Sequence, residues 1–133
     1  MRYDKSEFLI QTIVPEDEII ISRTDLNGII TYANETFAQI SGYQVEELIG
    51  KSHNILRHPD MPKILFEHMW KTLKSGKMWQ GYVKNMRKDG GYYWVNATAF
   101  PPRNSDGTIR YVSVRVKPTK EEIEIAKKLY EIG

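Results

Sequence analysis

Arg57, His58 and Asp60 stand within four residues of one another, directly ahead of a stretch with helical apolar spacing. An arginine presents a planar fork of donors that suits two oxygens of a phosphate, and the open amides at a helix start favour the same anion. Asp60 has two readings, a ligand contact or the cap of the helix it precedes. His58 with Asp60 makes only a fragment of a catalytic arrangement. His53 and His58 are five residues apart, which suits neither one helix face nor a zinc site, and His68 is the third and last histidine. A single axial histidine could still ligate haem. Further along, strand alternation places Trp79, Gly81, Val83, Asn85 and Arg87 on one face, and Tyr111, Ser113 and Arg115 on one face of a later strand. Cores ordinarily fill such positions with valine or isoleucine, and a buried asparagine or arginine is costly unless paired. Asn85 and Arg115 therefore suit the polar edge of a ligand. Trp79 reads as a flat wall beside that edge, with core filling as the plainer alternative; Trp70, on the apolar helix face, reads equally as either.

The remaining composition narrows the chemistry. The 133 residues include no cysteine, so disulfide scaffolds, thiolate metal sites and thiol catalysis are excluded. No nucleophile elbow, glycine-rich phosphate loop or carboxylate pair in an evident cleft is present, so no enzymatic turnover is expected. A chain of this size, 41% hydrophobic and 27% charged, reads as one globular domain that buries about two-thirds of its unfolded surface. No run approaches the roughly 18 apolar residues of a membrane span, and acidic residues precede the short apolar stretch from Phe8 to Val14, unlike a signal peptide. A cytoplasmic setting without membrane insertion is the expectation. The net charge of +2 conceals an acidic first part, with three basic and nine acidic side chains in residues 1–50, and a basic middle, with nine and three in residues 51–90. Such a block suits a phosphate-bearing ligand, a nucleic acid or an acidic partner. Lys63, Lys71, Lys74 and Lys77 are expected on the solvent side of a helix and its exit, and no nucleic-acid motif accompanies them, so no nucleic-acid partner is expected.

The elements that must position these side chains follow from turn and cap signals. Asp25-Leu26-Asn27-Gly28, Lys88-Asp89-Gly90-Gly91 and Ser105-Asp106-Gly107 separate β-like runs and predict antiparallel pairs, five strands in all. Between the second and third strands the chain turns helical: Asn34 caps a helix ending at Gly42, Glu46 to Gly50 adds a turn, and Asp60 to Lys74 carries Leu65, Phe66, Met69, Trp70 and Leu73 at helical spacing. Thr119-Lys120-Glu121-Glu122 is a capping box opening a last helix. The result is an α+β domain, a five-stranded antiparallel sheet with short helices and one longer helix grouped on one face, and a sheltered hollow between them.

The series Thr24-Asp25, Gly28, Ile30, Tyr32, Asn34 and Phe37, followed by Gly42-Tyr43 and Glu46 to Gly50, resembles the opening of a PAS domain. Trp79-x-Gly81, Asn85-x-Arg87-Lys88-Asp89-Gly90 and Tyr93-Trp94 fit its second half. The run from His53 to Pro62, with Met69-Trp70 and Trp79, is similar to the subgroup found in Aer-type aerotaxis receptors. That resemblance implies a PAS fold that binds FAD and reports redox state to a signalling transducer, with Arg57, His58 and Asp60 holding the FAD and Asn85 and Trp79 turned inward. Light-sensing flavin relatives carry a reactive cysteine where this chain has His53, a second asparagine where it has Val95, and a glutamine where it has Arg115, so cysteine-adduct photochemistry is excluded and the flavin edge is bonded differently. The candidate cofactor residues are therefore His53, Arg57, His58, Asp60, Trp70, Trp79, Asn85 and Arg115. The chain divides into an N-terminal cap segment (1–17), a sensor domain (18–118) and a C-terminal output helix (119–133). It is expected to be a stand-alone or excised sensor, since full receptors continue into a membrane segment and a signalling coil. Phe8, Leu9, Ile10, Ile13 and Val14, with Ile123, Ala126, Leu129, Tyr130 and Ile132, are apolar enough to cover the outer sheet face, a second copy in a homodimer, or a transducer. A cofactor-free interaction module, a haem oxygen sensor and a small flavin reductase remain as alternatives.

Overall fold

Asp25 and Asp89 each fold the chain back on itself. The Asp25 carboxylate accepts from the amides of Asn27 (2.8 Å) and Ile29 (3.0 Å), and Gly28 takes the left-handed conformation (φ +80) that closes the turn. Asp89 likewise accepts from the Gly91 amide, and Gly90 is left-handed. These turns pair β1 (Ile20–Thr24) with β2 (Ile30–Ala33), and β3 (Trp79–Met86) with β4 (Tyr92–Phe100). The computed structural model describes residues 11–102 and 110–132; Phe8, Leu9, Ile10 and the Ser105-Asp106-Gly107 turn lie outside them. β5 (Tyr111–Val116) joins the two hairpins, antiparallel to β1 on one side and β4 on the other, giving the order β2-β1-β5-β4-β3. All five strands expected from the sequence are present. The β1–β5 pair joins elements nearly ninety residues apart, and no turn signal announces it.

α1 (Glu35–Ser41), α2 (Val45–Leu48), a 3-10 turn (His53–Leu56) and α3 (Lys63–Lys74) follow β2. Their apolar residues Phe37, Leu48, Leu56, Phe66 and Leu73 are buried in the core shared with the inward strand residues. Asn34 caps α1, accepting from the Phe37 amide at 3.1 Å; the same oxygen accepts from the Ile21 amide, and its amide nitrogen donates to the Ile19 carbonyl. One side chain thus ends a helix and fastens it to β1. The longest of these helices starts later than its sequence suggests. Asp60 is not its cap: α3 begins at Lys63 after Pro62, with no side-chain cap. The residue ahead of a proline is kept out of helical conformation, so Met61 breaks any helix begun at Asp60. α4 (Lys120–Leu129), capped as expected by Thr119 with Glu122, lies over the opposite face of the sheet. There the outward-facing Tyr82 hydroxyl donates to Glu122 Oε2 (2.7 Å), and the Tyr130 hydroxyl donates to the Tyr82 carbonyl (2.8 Å). Near the start of the described chain the Thr12 amide donates to the Tyr92 carbonyl, and Val14 is buried in the core.

Asn34→Ala removes three hydrogen bonds, two of them to backbone amides that have no substitute nearby. It should lower unfolding stability by about 2 kcal/mol in urea denaturation, and Asn34→Asp, which keeps the acceptor, by less than half of that.

Candidate functional site

The 3-10 turn is strung between two strands, and this closes one side of a cavity. At its start the His53 amide donates to the Gly28 carbonyl (3.0 Å), and Ser52 pairs with Ile29; at its end Arg57 pairs with Asn85 of β3. The sheet forms the floor and α3 the opposite wall. Between them lies a cavity of about 400 Å³, lined among others by Thr24, His53, Arg57, Trp70, Trp79, Asn85, Tyr111 and Arg115. Volumes of roughly 300–1,000 Å³ are usual for small-molecule sites.

The walls are aromatic and the inner end is polar. Trp79 is buried and donates from Nε1 to His68 Nδ1 (3.3 Å) on α3. Trp70 meets Tyr111 edge to face at 5.0 Å and packs beneath Gly28. At the inner end Arg115 is buried on β5. It donates to Ser113 Oγ (2.8 Å), Ser22 Oγ (3.0 Å) and His53 Nε2 (3.3 Å), and its guanidinium stands 4.6 Å from the centre of the Phe37 ring. No carboxylate pairs with it among the described residues. Burial lowers its pKa to about 10, which still leaves a cation at neutral pH. Arg115 Nε and Thr24 Oγ1, both buried on cavity-lining residues, have no hydrogen-bond partner among the described residues. Buried polar atoms without partners are rare in folded proteins, and these belong to residues that face the cavity.

His53 is neutral. Burial, then the Arg115 and Arg57 charges, lowers its pKa to about 3. A guanidinium can only donate, so His53 Nε2 accepts and the ring proton sits on Nδ1. Ser22, 3.2 Å from the same nitrogen, accepts from Arg115 and turns its own hydrogen to His53. Arg57, at the mouth, stacks its guanidinium 4.1 Å from the centre of the Phe66 ring, and burial lowers its pKa. Lys74, exposed to solvent as expected, is also among the residues lining the cavity.

Six of the eight residues singled out in the sequence line this one cavity: His53, Arg57, Trp70, Trp79, Asn85 and Arg115. His58 and Asp60 lie outside its lining. His58 is buried edge to face against Tyr92, and its Nδ1 accepts from the Asp60 amide (3.1 Å); burial and then the Lys84 charge lower its pKa, against the opposing pull of Asp60. The Asp60 carboxylate takes Lys84 Nζ at 3.0 Å. The residues of α3 that line the cavity run from Phe66 to Lys74, so the helix start is not part of the wall. Ser113 was placed on the Arg115 face and Thr24 in the PAS pattern without a role at the site, and Ser22 was not singled out; its inward register on β1 was the available signal.

An antiparallel sheet and a helical wall around a cavity, aromatic at its sides and cationic at its inner end, make the architecture of a sensor domain. The chain belongs to the PAS family, whose PAS-fold pattern matches residues 30–116. It is 48% identical over 120 residues to the aerotaxis receptor of Escherichia coli, covering 90% of this chain and 24% of that protein. It is 32% identical over 103 residues to the nitrogen fixation regulatory protein of Klebsiella pneumoniae, covering 77% of this chain and 21% of that one. The chain thus spans about a quarter of the length of these relatives. Among solved structures it is similar to a light-oxygen-voltage domain studied with a flavin analogue (TM-score 0.70, 25% identity, 85% of each chain). It shares its fold with the corresponding domain of a blue-light activated histidine kinase from Erythrobacter litoralis (TM-score 0.68, 19% identity, 77% of this chain and 97% of that one). No helix among the described residues is long and apolar enough to cross a membrane.

The depressed His53 pKa carries a signed consequence for stability. Between pH 6.5 and about 3 the unfolded chain binds one more proton at this residue than the folded chain, so its contribution is intact above that window and declines as pH falls through it. The stability lost between about pH 7 and about pH 5 should be smaller by about 1–2 kcal/mol in His53→Gln than in the parent, measured by urea denaturation at both values.

Proposed function

We propose that this chain is a redox sensor that holds a flavin, FAD, non-covalently in the cavity and passes its redox state to a signalling transducer. The observation that carries this reading is the buried Arg115 cation on the wall of a flat-sided cavity, with no carboxylate beside it and no partner for Nε among the described residues. Such a cation asks for a ligand whose edge is rich in acceptors and gains negative charge. A bound flavin supplies one- and two-electron redox chemistry. The residues of this chain decide how it is held. Trp79 and Trp70 offer flat walls. Asn85 offers a donor and an acceptor to the polar edge. Arg115 favours the ring form carrying more negative charge, and the neutral His53 beside it withholds a second cation. The resemblance to Aer-type PAS domains supports FAD over a shorter flavin, as do Arg57 and Lys74 at the mouth, where a pyrophosphate would leave a cavity too small for the whole dinucleotide. His58 and Asp60 act on this reading by fixing the segment that carries Arg57 rather than by touching the ring.

Output runs through the sheet. Arg115 lies three residues before Pro118 and four before Thr119, the cap of α4, and a reorientation of its side chain is felt where that helix begins. The transducer would meet α4 or the segment before β1, in the cytoplasm; a homodimer through the same surfaces is the companion expectation. Haem fits less well, because His53 Nε2 already accepts from Arg115 and would have to abandon that bond to ligate iron.

The visible spectrum of the purified protein tests the reading: flavin bands, with FAD identified by mass after heat release, are expected. A colourless protein that takes up neither FAD nor FMN overturns it, and steady-state oxidation of NADH would favour a reductase instead. In the flavin-loaded protein, Arg115→Gln should lower the midpoint potential by at least ~60 mV, the one-electron equivalent of a tenfold change, because the reduced, more negative form loses its buried cation.

A further inference from the structure

We propose that Gly81 and His68, neither of which lines the cavity, are positioning residues that press the Trp79 indole flat against β3 and so keep open the slot that the planar ligand enters; the proposal rests on the cofactor reading above. Trp79 and Gly81 stand two apart on the inward face of the same strand, paired with Ala99 and Ala97 of β4. A Cβ on Gly81 would meet the Trp79 ring at 2.5 Å from Cη2 and 2.6 Å from Cζ2, well inside van der Waals contact. The six-membered ring therefore lies directly over the Gly81 α-carbon. Glycine weakens a strand interior, and its usual compensation is a left-handed turn. Gly81 has no left-handed φ, so what it contributes here is empty space.

The floor around it is equally shallow, since Ala97 and Ala99 are the lining residues beside it. A methyl group at position 81 cannot sink into the paired β3–β4 backbone, so the ring must rise by about an ångström into the cavity to regain ordinary contact. The far edge of the indole is fixed from the other side: Trp79 Nε1 donates to Nδ1 of the exposed His68, which leaves the ring one orientation about its side-chain bonds. Gly81 sets the height of the wall and His68 its rotation.

A double-mutant cycle on flavin affinity tests this. Gly81→Ala should weaken binding about tenfold with far-UV circular dichroism unchanged, whereas in a Trp79→Leu background the same change should alter the dissociation constant by less than about twofold. His68→Leu should weaken binding several-fold, and His68→Asn, which restores an acceptor, should recover it. Unchanged affinity in Gly81→Ala, an equal loss in both backgrounds, or no rescue by His68→Asn overturns the proposal. Should Gly81→Ala not fold, the His68 pair decides. An arm without cofactor separates this from the redox reading. In the ligand-free protein, nuclear Overhauser contacts from Trp79 Hη2 to the Gly81 α-protons are expected whether or not flavin binds, and their absence overturns the placement of the wall.

Discussion

A buried guanidinium, with no carboxylate beside it among the described residues, organises this domain. Arg115 sits on the central strand, and its donors reach Ser22 on β1, Ser113 on β5 and His53 on the 3-10 turn, while its plane rests near Phe37 of α1. A charge so placed is costly to desolvate, and two hydroxyls and a neutral imidazole recover only part of that cost. Every neighbour is therefore constrained in kind: serines small enough to approach, a histidine held uncharged, an aromatic face instead of an aliphatic one. The same contacts join the sheet to the helical layer, so the polar end of the cavity is also where the two layers are bolted together.

That arrangement requires the segment carrying His53 to be held accurately, and the backbone does so. Hydrogen bonds to the Gly28 turn at one end and a bridge to Asn85 at the other suspend the 3-10 turn between the first hairpin and β3. The buried His58, its Nδ1 accepting from the Asp60 amide, and the Asp60–Lys84 ion pair brace the stretch beyond. The motif from His53 to Asp60 is thus divided by role: its first part faces the cavity, and its last part anchors the chain outside it.

Much of this was legible in the sequence because it rests on local rules. Asn-Gly and Asp-Gly turns marked the hairpins, Asn34 and Gly42 bounded α1, and strand alternation grouped Trp79 with Asn85 and Ser113 with Arg115, faces that the family resemblance turned inward. What was not legible depends on distant partners or on competition between local signals. Asp60 had the chemistry of a cap, but the proline two residues later kept the helix from starting there. The β1–β5 pair joins distant stretches of chain that no motif links, and with it came Ser22 beside Arg115. The position of His58 behind Tyr92 rather than in the cavity depends on the path of a loop, which spacing does not encode.

β3 carries a further implication in its alternation. Trp79, Val83 and Asn85 look into the cavity, while Tyr82, between them, is tied through its hydroxyl and its carbonyl to α4 on the far side. The interior and the exterior helix are therefore separated along the chain by a single peptide unit, about 3.8 Å. Odd positions can be exchanged to suit a different occupant without disturbing the docking of the helix, and Tyr82 can be rewritten for a different neighbour without touching the occupant, whereas Lys84 is bound through Asp60 to the segment that carries Arg57. Such a strand is a two-sided ledger of independent vocabularies, a property that would let one scaffold diversify its inside and its outside on separate evolutionary schedules.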